Sequence, residues 1–140
     1  MTITSTYHLE NKRIFLIEDD VLNLAIINRV LINSKATVFQ NYNSIGIVTH
    51  IIQHLPIDLI LLDIMLRRGV SGMDVILELK NNIHTANIPV VAVSALDPEI
   101  AIPQAQRAGF NGFIGKPINS MSFSQDIAAI IHGEQRWVAS

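Results

Sequence analysis

Six side chains that carry charge or a hydroxyl follow on short apolar runs of this sequence. Glu18, Asp19 and Asp20 come after Arg13-Ile14-Phe15-Leu16-Ile17, and Asp63 after Asp58-Leu59-Ile60-Leu61-Leu62. Ser94 comes after Pro89-Val90-Val91-Ala92-Val93, and Lys116 after Gly112-Phe113-Ile114-Gly115. If Glu18, Asp19 and Asp63 are brought together, three carboxylates repel one another in a partly buried site. Either one stays protonated or a cation sits among them, and a few carboxylates with several waters suit Mg2+. Lys116 and Ser94 would add a positive charge and a hydroxyl from the other side. That set describes phosphoryl transfer, with Asp63 as a carboxylate nucleophile and catalysis mostly by positioning and electrostatics.

For these residues to meet, each apolar run has to be a strand whose carboxyl end points to one place. Three runs are nearly continuous Val, Ile and Leu, the pattern of strands buried on both faces of a parallel sheet. A further run, Ala36-Thr37-Val38-Phe39-Gln40, ends in nothing chemical (Asn41) and reads as an edge strand. Stretches of helix length lie between the runs: Val21 to Asn33, Ser44 to His54, Met73 to Asn82, Pro98 to Arg107 and Asn119 to His132. Asp97-Pro98 offers an N-cap with proline at the first helical position. Gly109 and Gly133 stand where helices should stop, and Asn119 or Ser120 is placed to cap the last helix. Five βα units make an open, doubly wound α/β domain: a five-stranded parallel sheet of flavodoxin-like order 2-1-3-4-5. Ligands of such sheets sit beyond the carboxyl ends of the strands, where the strand order switches. The organisation read from the chain is a flexible arm over 1–11, one domain over 12–132 and a tail over 133–140.

The composition narrows the function classes. The chain has 140 residues, 49% of them apolar, no cysteine and a formal charge of −2. One domain of this size supports its own core. Disulfides play no part, which suits a reducing compartment, and no basic field points to nucleic acid. No stretch approaches the ~20 apolar residues that cross a bilayer, and the N-terminus lacks the pattern of a signal peptide. The expectation is a cytoplasmic protein with no nucleic-acid or membrane partner.

The sequence resembles bacterial response-regulator receiver domains of two-component systems, of the stand-alone single-domain type. The resemblance covers roughly Lys12 to His132 and rests on five pieces in order. They are Ile17-Glu18-Asp19-Asp20, Asp58 through Asp63 to Leu66, Gly72, Pro89 through Ser94 to Ala95, and Gly112 through Lys116 to Pro117. The spacing is similar to single-domain regulators of the cell-division type. The resemblance implies that Asp63 accepts a phosphoryl group from a histidine kinase or histidine phosphotransfer protein, with Mg2+ (or Mn2+) as cofactor. Glu18 and Asp19 become the acidic pair, Asp19 and Asp63 direct metal ligands, and Met65 a ligand through its backbone carbonyl. Ser94 and Lys116 become the catalytic hydroxyl and lysine, Ser94 and Phe113 the switch pair, and Lys116-Pro117 a cis peptide. Phosphorylation would draw Ser94 to the phosphate, turn Phe113 inward and remodel the surface of the fourth helix, fifth strand and fifth helix for a downstream protein target. The sequence departs from the family pattern where Arg67 and Arg68 follow Leu66, and Phe113 lacks the hydroxyl of a tyrosine.

Other positions stand beside this frame. On the first helix Ile26, Ile27, Val30 and Leu31 form the stripe expected to face the sheet. Leu22 and Ala25 then border the acidic pocket as a docking patch for a four-helix phosphotransfer partner, with plain partial burial the competing account for these and for Leu24. Met65 and Leu96 stand two residues beyond Asp63 and Ser94, where the resemblance puts the side chains that flank the hydrolytic water. Two apolar groups cannot orient a water, which implies a long-lived phosphoryl-Asp63. Asp20 suits a helix N-terminus. His50 and His54 have i, i+4 spacing but no third ligand, and Trp137 lies in the tail, free to fold back or serve a partner.

Three rival functions remain. An aspartyl phosphatase of the haloacid-dehalogenase type needs an acid two residues after the nucleophile, where this chain has Met65. A nucleotide-binding domain needs a glycine-rich loop after the first strand. A pseudo-receiver that binds protein without phosphate chemistry is the alternative to a phosphoacceptor that catalyses only its own phosphorylation and dephosphorylation.

Overall fold

The computed structural model describes residues 7–66 and 69–139. Among them are six strands: β1 (Arg13–Ile17), β2 (Thr37–Asn41), β3 (Leu59–Asp63), β4 (Val90–Ser94), β5 (Gly112–Gly115) and β6 (Arg136–Val138). The helices are α1 (Val21–Asn33), α2 (Ile47–Gln53), α3 (Gly72–Lys80), α4 (Pro98–Ala108) and α5 (Phe123–Ile131). All strands pair in parallel, in the order β2-β1-β3-β4-β5-β6. The expected order holds for five strands, and the tail adds a sixth. β3 and β4 are buried at every residue, as their unbroken apolar runs require.

Period-two alternation divides the sheet between two cores. Phe15, Ile17, Ile60, Leu62, Val90, Ala92 and Phe113 face one layer with α2, α3 and α4. Ile14, Leu16, Leu59, Leu61, Val91, Val93 and Ile114 face the other with α1 and α5. Residue 7 onward is tied to this second layer: Leu9 is buried in it, and the Tyr7 ring stacks on His132 at 4.2 Å. The expected loose arm is therefore anchored over its last residues, and 1–6 lie outside the described residues.

Local signals explain the helix ends. Asp97 caps α4 by accepting from the Glu99 amide with Pro98 at the first turn, and Gly109 closes it at φ 98. Asp20 caps α1, accepting from the amides of Leu22 and Asn23. Two starts differ from expectation. α2 begins at Ile47 because Gly46 adopts a left-handed φ of 64 and buried Ser44 donates its hydroxyl to the Val70 carbonyl instead of entering the helix. α5 begins at Phe123 because the Asn119 side chain accepts from Met121 within a turn that precedes the helix, so neither Asn119 nor Ser120 caps it.

The buried face of α1 also differs from the expected stripe. Leu24, Ile27 and Leu31 face the sheet, at i, i+3 and i+7, while Ile26 is 42% exposed. At 100° per residue these three share one stripe and Ile26 falls nearly opposite.

Gly72 opens α3 against the end of β3. A Cβ there would meet the Asp63 carbonyl oxygen and the Ile64 Cα, both at 2.6 Å. These are backbone atoms, and they cannot swing aside. Gly72→Ala is expected to cost about 1–3 kcal/mol through overpacking and to shift the Asp63 backbone. Urea unfolding reads the first effect, and the yield of any Asp63 adduct reads the second.

Candidate functional site

The carboxyl ends of β1, β3, β4 and β5 bring together the residues singled out above. Glu18 follows β1 and is buried, its amide donating to the Asn41 carbonyl at 3.1 Å. Asp63 closes β3, 5% exposed. Ser94 closes β4 opposite Gly115, and its carbonyl accepts the Lys116 amide at 2.8 Å, which sets Lys116 just past β5. The Lys116-Pro117 bond is cis, as the resemblance implied, and so is Leu55-Pro56.

Lys116 is the hub. Its Nζ donates to Asp63 Oδ2 at 2.9 Å and lies 2.5 Å from Glu18 Oε1. The second contact is a close ion pair that neutralises the buried Glu18 Oε1. Asp63 Oδ1 accepts from the Met65 amide at 2.8 Å, so both carboxylate oxygens of Asp63 are held. Ser94 Oγ accepts from the Leu96 amide at 3.1 Å in the turn after β4. A cleft of about 210 Å³ opens beside Asp63, lined by Asp19, Asp20, Asn23, Met65, Ala95 and Lys116.

Electrostatics follow from this crowding. Burial pushes the Glu18 carboxyl up to about 7; a hydrogen bond shared with Asp63 and that group's charge add to the rise, and Lys116 opposes it. Burial works against the Lys116 ammonium, but Glu18 and Asp63 outweigh it together and raise its affinity for the proton.

Carboxylate oxygens of Glu18, Asp19 and Asp63 lie within 4.8 Å of one another, the one such grouping of acids and histidines among the described residues. Hard oxygen donors beside an open cleft fit a small divalent cation. Asp19 and Asp63 line the cleft, whereas Glu18 stands behind them.

Phe113 is fully buried, one residue before the core-facing Ile114, and needs no inward turn to reach the core. Leu22 (70% exposed) and Ala25 lie on the outer side of the first turns of α1, next to Asp20 and Asn23 at the cleft, while Leu24 leaves the patch for the core. Met65 is exposed and Leu96 half-buried against the first core. His54 packs on Phe15 and Phe39 with its Nδ1 2.7 Å from the His50 carbonyl, a packing role. Arg67 and Arg68 lie outside the described residues. Asn23 was not singled out from the sequence; its place three residues after the Asp20 cap was the available signal. No helix among the described residues is long and apolar enough to cross a membrane.

Comparison with known proteins gives one family. The sequence matches the response regulator receiver domain over residues 14–128. It is 29% identical over 120 residues to the polar-differentiation response regulator DivK of Brucella anthropi, covering 86% of this chain and 96% of that protein. A putative response regulator from Chloroflexus aurantiacus superimposes with a TM-score of 0.81 at 19% identity, covering 88% of this chain and 99% of that one. The receiver domain of the sensor histidine kinase PA1611 from Pseudomonas aeruginosa, described with a magnesium ion in its active-site cleft, gives 0.79 at 21% identity, covering 88% and 98%.

Proposed function

The chain belongs to the response regulator receiver domain family of two-component systems, and from that premise we propose that it is a phosphoacceptor switch charged on Asp63 by a phosphohistidine. The supporting observation is Lys116, held by Asp63 and Glu18 at the edge of a cleft into which Asp63 opens.

An Asp63 carboxylate oxygen attacks phosphorus, the P–N bond breaks, and its electron pair leaves with the imidazole nitrogen. Lys116 gives up its contact with Asp63 Oδ2 for the arriving phosphoryl oxygens, and Ser94 turns its hydroxyl to another. Asp19, Asp63 and the Met65 carbonyl would hold Mg2+ (or Mn2+), with Glu18 behind them. That ion supplies positive charge against the phosphoryl oxygens. Exposed Met65 and apolar Leu96 leave the acyl phosphate without a side chain that orients water, so the phosphorylated form is long-lived. The same reading sets the protein in the cytoplasm, working through protein contacts alone and signalling to its target from the α4-β5-α5 side.

Intact mass after incubation with a small phosphodonor and Mg2+ tests the reading. A single phosphoryl adduct that requires the cation and disappears in Asp63→Asn is the expected result. No adduct under any divalent cation would favour a protein-binding domain without phosphate chemistry.

Leu22 and Ala25 form the docking patch for the phosphodonor protein. Leu22→Asp is expected to slow transfer from a phosphotransfer protein about ten-fold or more, the scale of losing one buried apolar anchor. Phosphorylation by a small donor stays unchanged. Equal loss of both rates rules out docking at Leu22.

A further inference from the structure

β6 (Arg136–Val138) lies beyond the residues of the family match, which end at 128. It docks on the outer edge of β5, and β5 is built to receive it. A Cβ on Gly112 would meet the Arg136 carbonyl oxygen at 2.8 Å and Ile130 Cδ1 at 2.7 Å. Glycine leaves the room that the β6 backbone fills. Trp137 stands opposite Phe113 in register and packs on the core that holds Phe113. Arg136 Nη1 reaches back to Asp126 Oδ1 of α5 at 3.2 Å.

The hold on β6 is nonetheless slight. It has three residues, all half-buried, and its two ion pairs, to Asp126 and to the nearby Glu134, both come from one arginine whose side chain is 40% exposed. Among the described residues it pairs only with β5. β5 in turn runs directly into Lys116, whose Nζ touches Glu18 and Asp63 and whose amide bonds to Ser94. Whatever draws Lys116 and Ser94 to a new group on Asp63 therefore pulls on the strand that carries β6. Short, weakly buried edge elements open at the lowest free energy in a fold.

We infer that the outer edge of β5 is a strand-docking surface, that β6 is its resident occupant, and that loading Asp63 loosens β6 and opens Gly112–Gly115 to an extended segment of a partner protein. The partner strand carries a cation to meet Asp126 where Arg136 sits and a large apolar side chain to cover Phe113 where Trp137 sits. Strand addition of this kind draws affinity from main-chain hydrogen bonds and specificity from alternate side chains. The inference rests on the phosphoacceptor reading.

Trp137 is the sole tryptophan, so its emission reports β6 alone. Beryllofluoride with Mg2+ serves as the phosphoryl mimic, its binding followed separately by fluorine NMR. Amide exchange at Arg136–Val138 is expected to rise about ten-fold or more on loading while β3 stays protected, and Trp137 emission to shift to the red. A labelled peptide of residues 133–139 should then bind the loaded full chain and not the unloaded one, and an Arg136→Ala version of the peptide should bind more weakly. Beryllofluoride bound with β6 still protected and no peptide captured overturns the inference and leaves the phosphoacceptor reading intact. Failure of beryllofluoride to bind overturns both.

Discussion

Replacing Lys116 with methionine is expected to cost the fold about 3–5 kcal/mol near pH 8, the scale of leaving buried charges without their partner. Lys116 is the counterion of two buried carboxylates, at 2.5 Å from Glu18 and 2.9 Å from Asp63. Methionine keeps most of the side-chain volume, so loss of packing adds little. The remaining acids relieve their repulsion by taking up a proton, so most of the loss should vanish near pH 5. A divalent cation should restore part of it at pH 8. Urea unfolding of wild type and Lys116→Met at the two pH values measures this. An equal deficit at pH 5 and pH 8 would mean that Lys116 acts through packing and not through charge.

The second large effect belongs to Glu18. Its carboxyl is raised from 4.5 to about 7, chiefly by burial. A raised value in the folded state means that the folded protein holds a proton the unfolded chain has released. The resulting stability is fully present below pH 4.5, is lost as pH rises through 7, and amounts to about 3 kcal/mol across that window. Lys116 is also raised, but its contribution changes only above 10.5 and is constant here. Glu18→Gln fixes the uncharged form. Its stability relative to wild type should climb by about that 3 kcal/mol between pH 4.5 and 8 in the absence of divalent cations. A flat difference would place a charged Glu18 comfortably in the fold throughout.

How much of this the sequence makes legible depends on the range of the forces involved. β1 and β5 have the bounds of their apolar runs, because a strand buried on both faces has to be apolar and stops where a charged residue enters. The candidate site residues were legible for the same reason: Glu18, Asp63, Ser94 and Lys116 each stand where an apolar run ends in a polar or charged side chain. The buried face of α1 is not legible in the sequence because the helix is apolar nearly all round, with Val21, Leu22, Ile26 and Ile32 exposed. Adjacent isoleucines at 26 and 27 cannot indicate which of them meets the sheet. β6 was illegible because three residues carry no period, and its evidence is nonlocal: a glycine at 112 and an acid at 126 that make sense only once Arg136 lies against them.

The position of β6 also bears on how the protein behaves as a solute. With it in place, the two open margins of the sheet are β2, which exposes Thr37 and Gln40, and a three-residue strand bearing Arg136. Both are short, polar or charged, the form in which natural sheets avoid sticking edge to edge. Beneath β6 lies Gly112-Phe113-Ile114-Gly115, uncharged, with every residue buried. A chain cut before Arg136 would present that strand to its neighbours as an adhesive margin. The tail is thus expected to guard against aggregation, and it should be kept in any version of the protein prepared at high concentration.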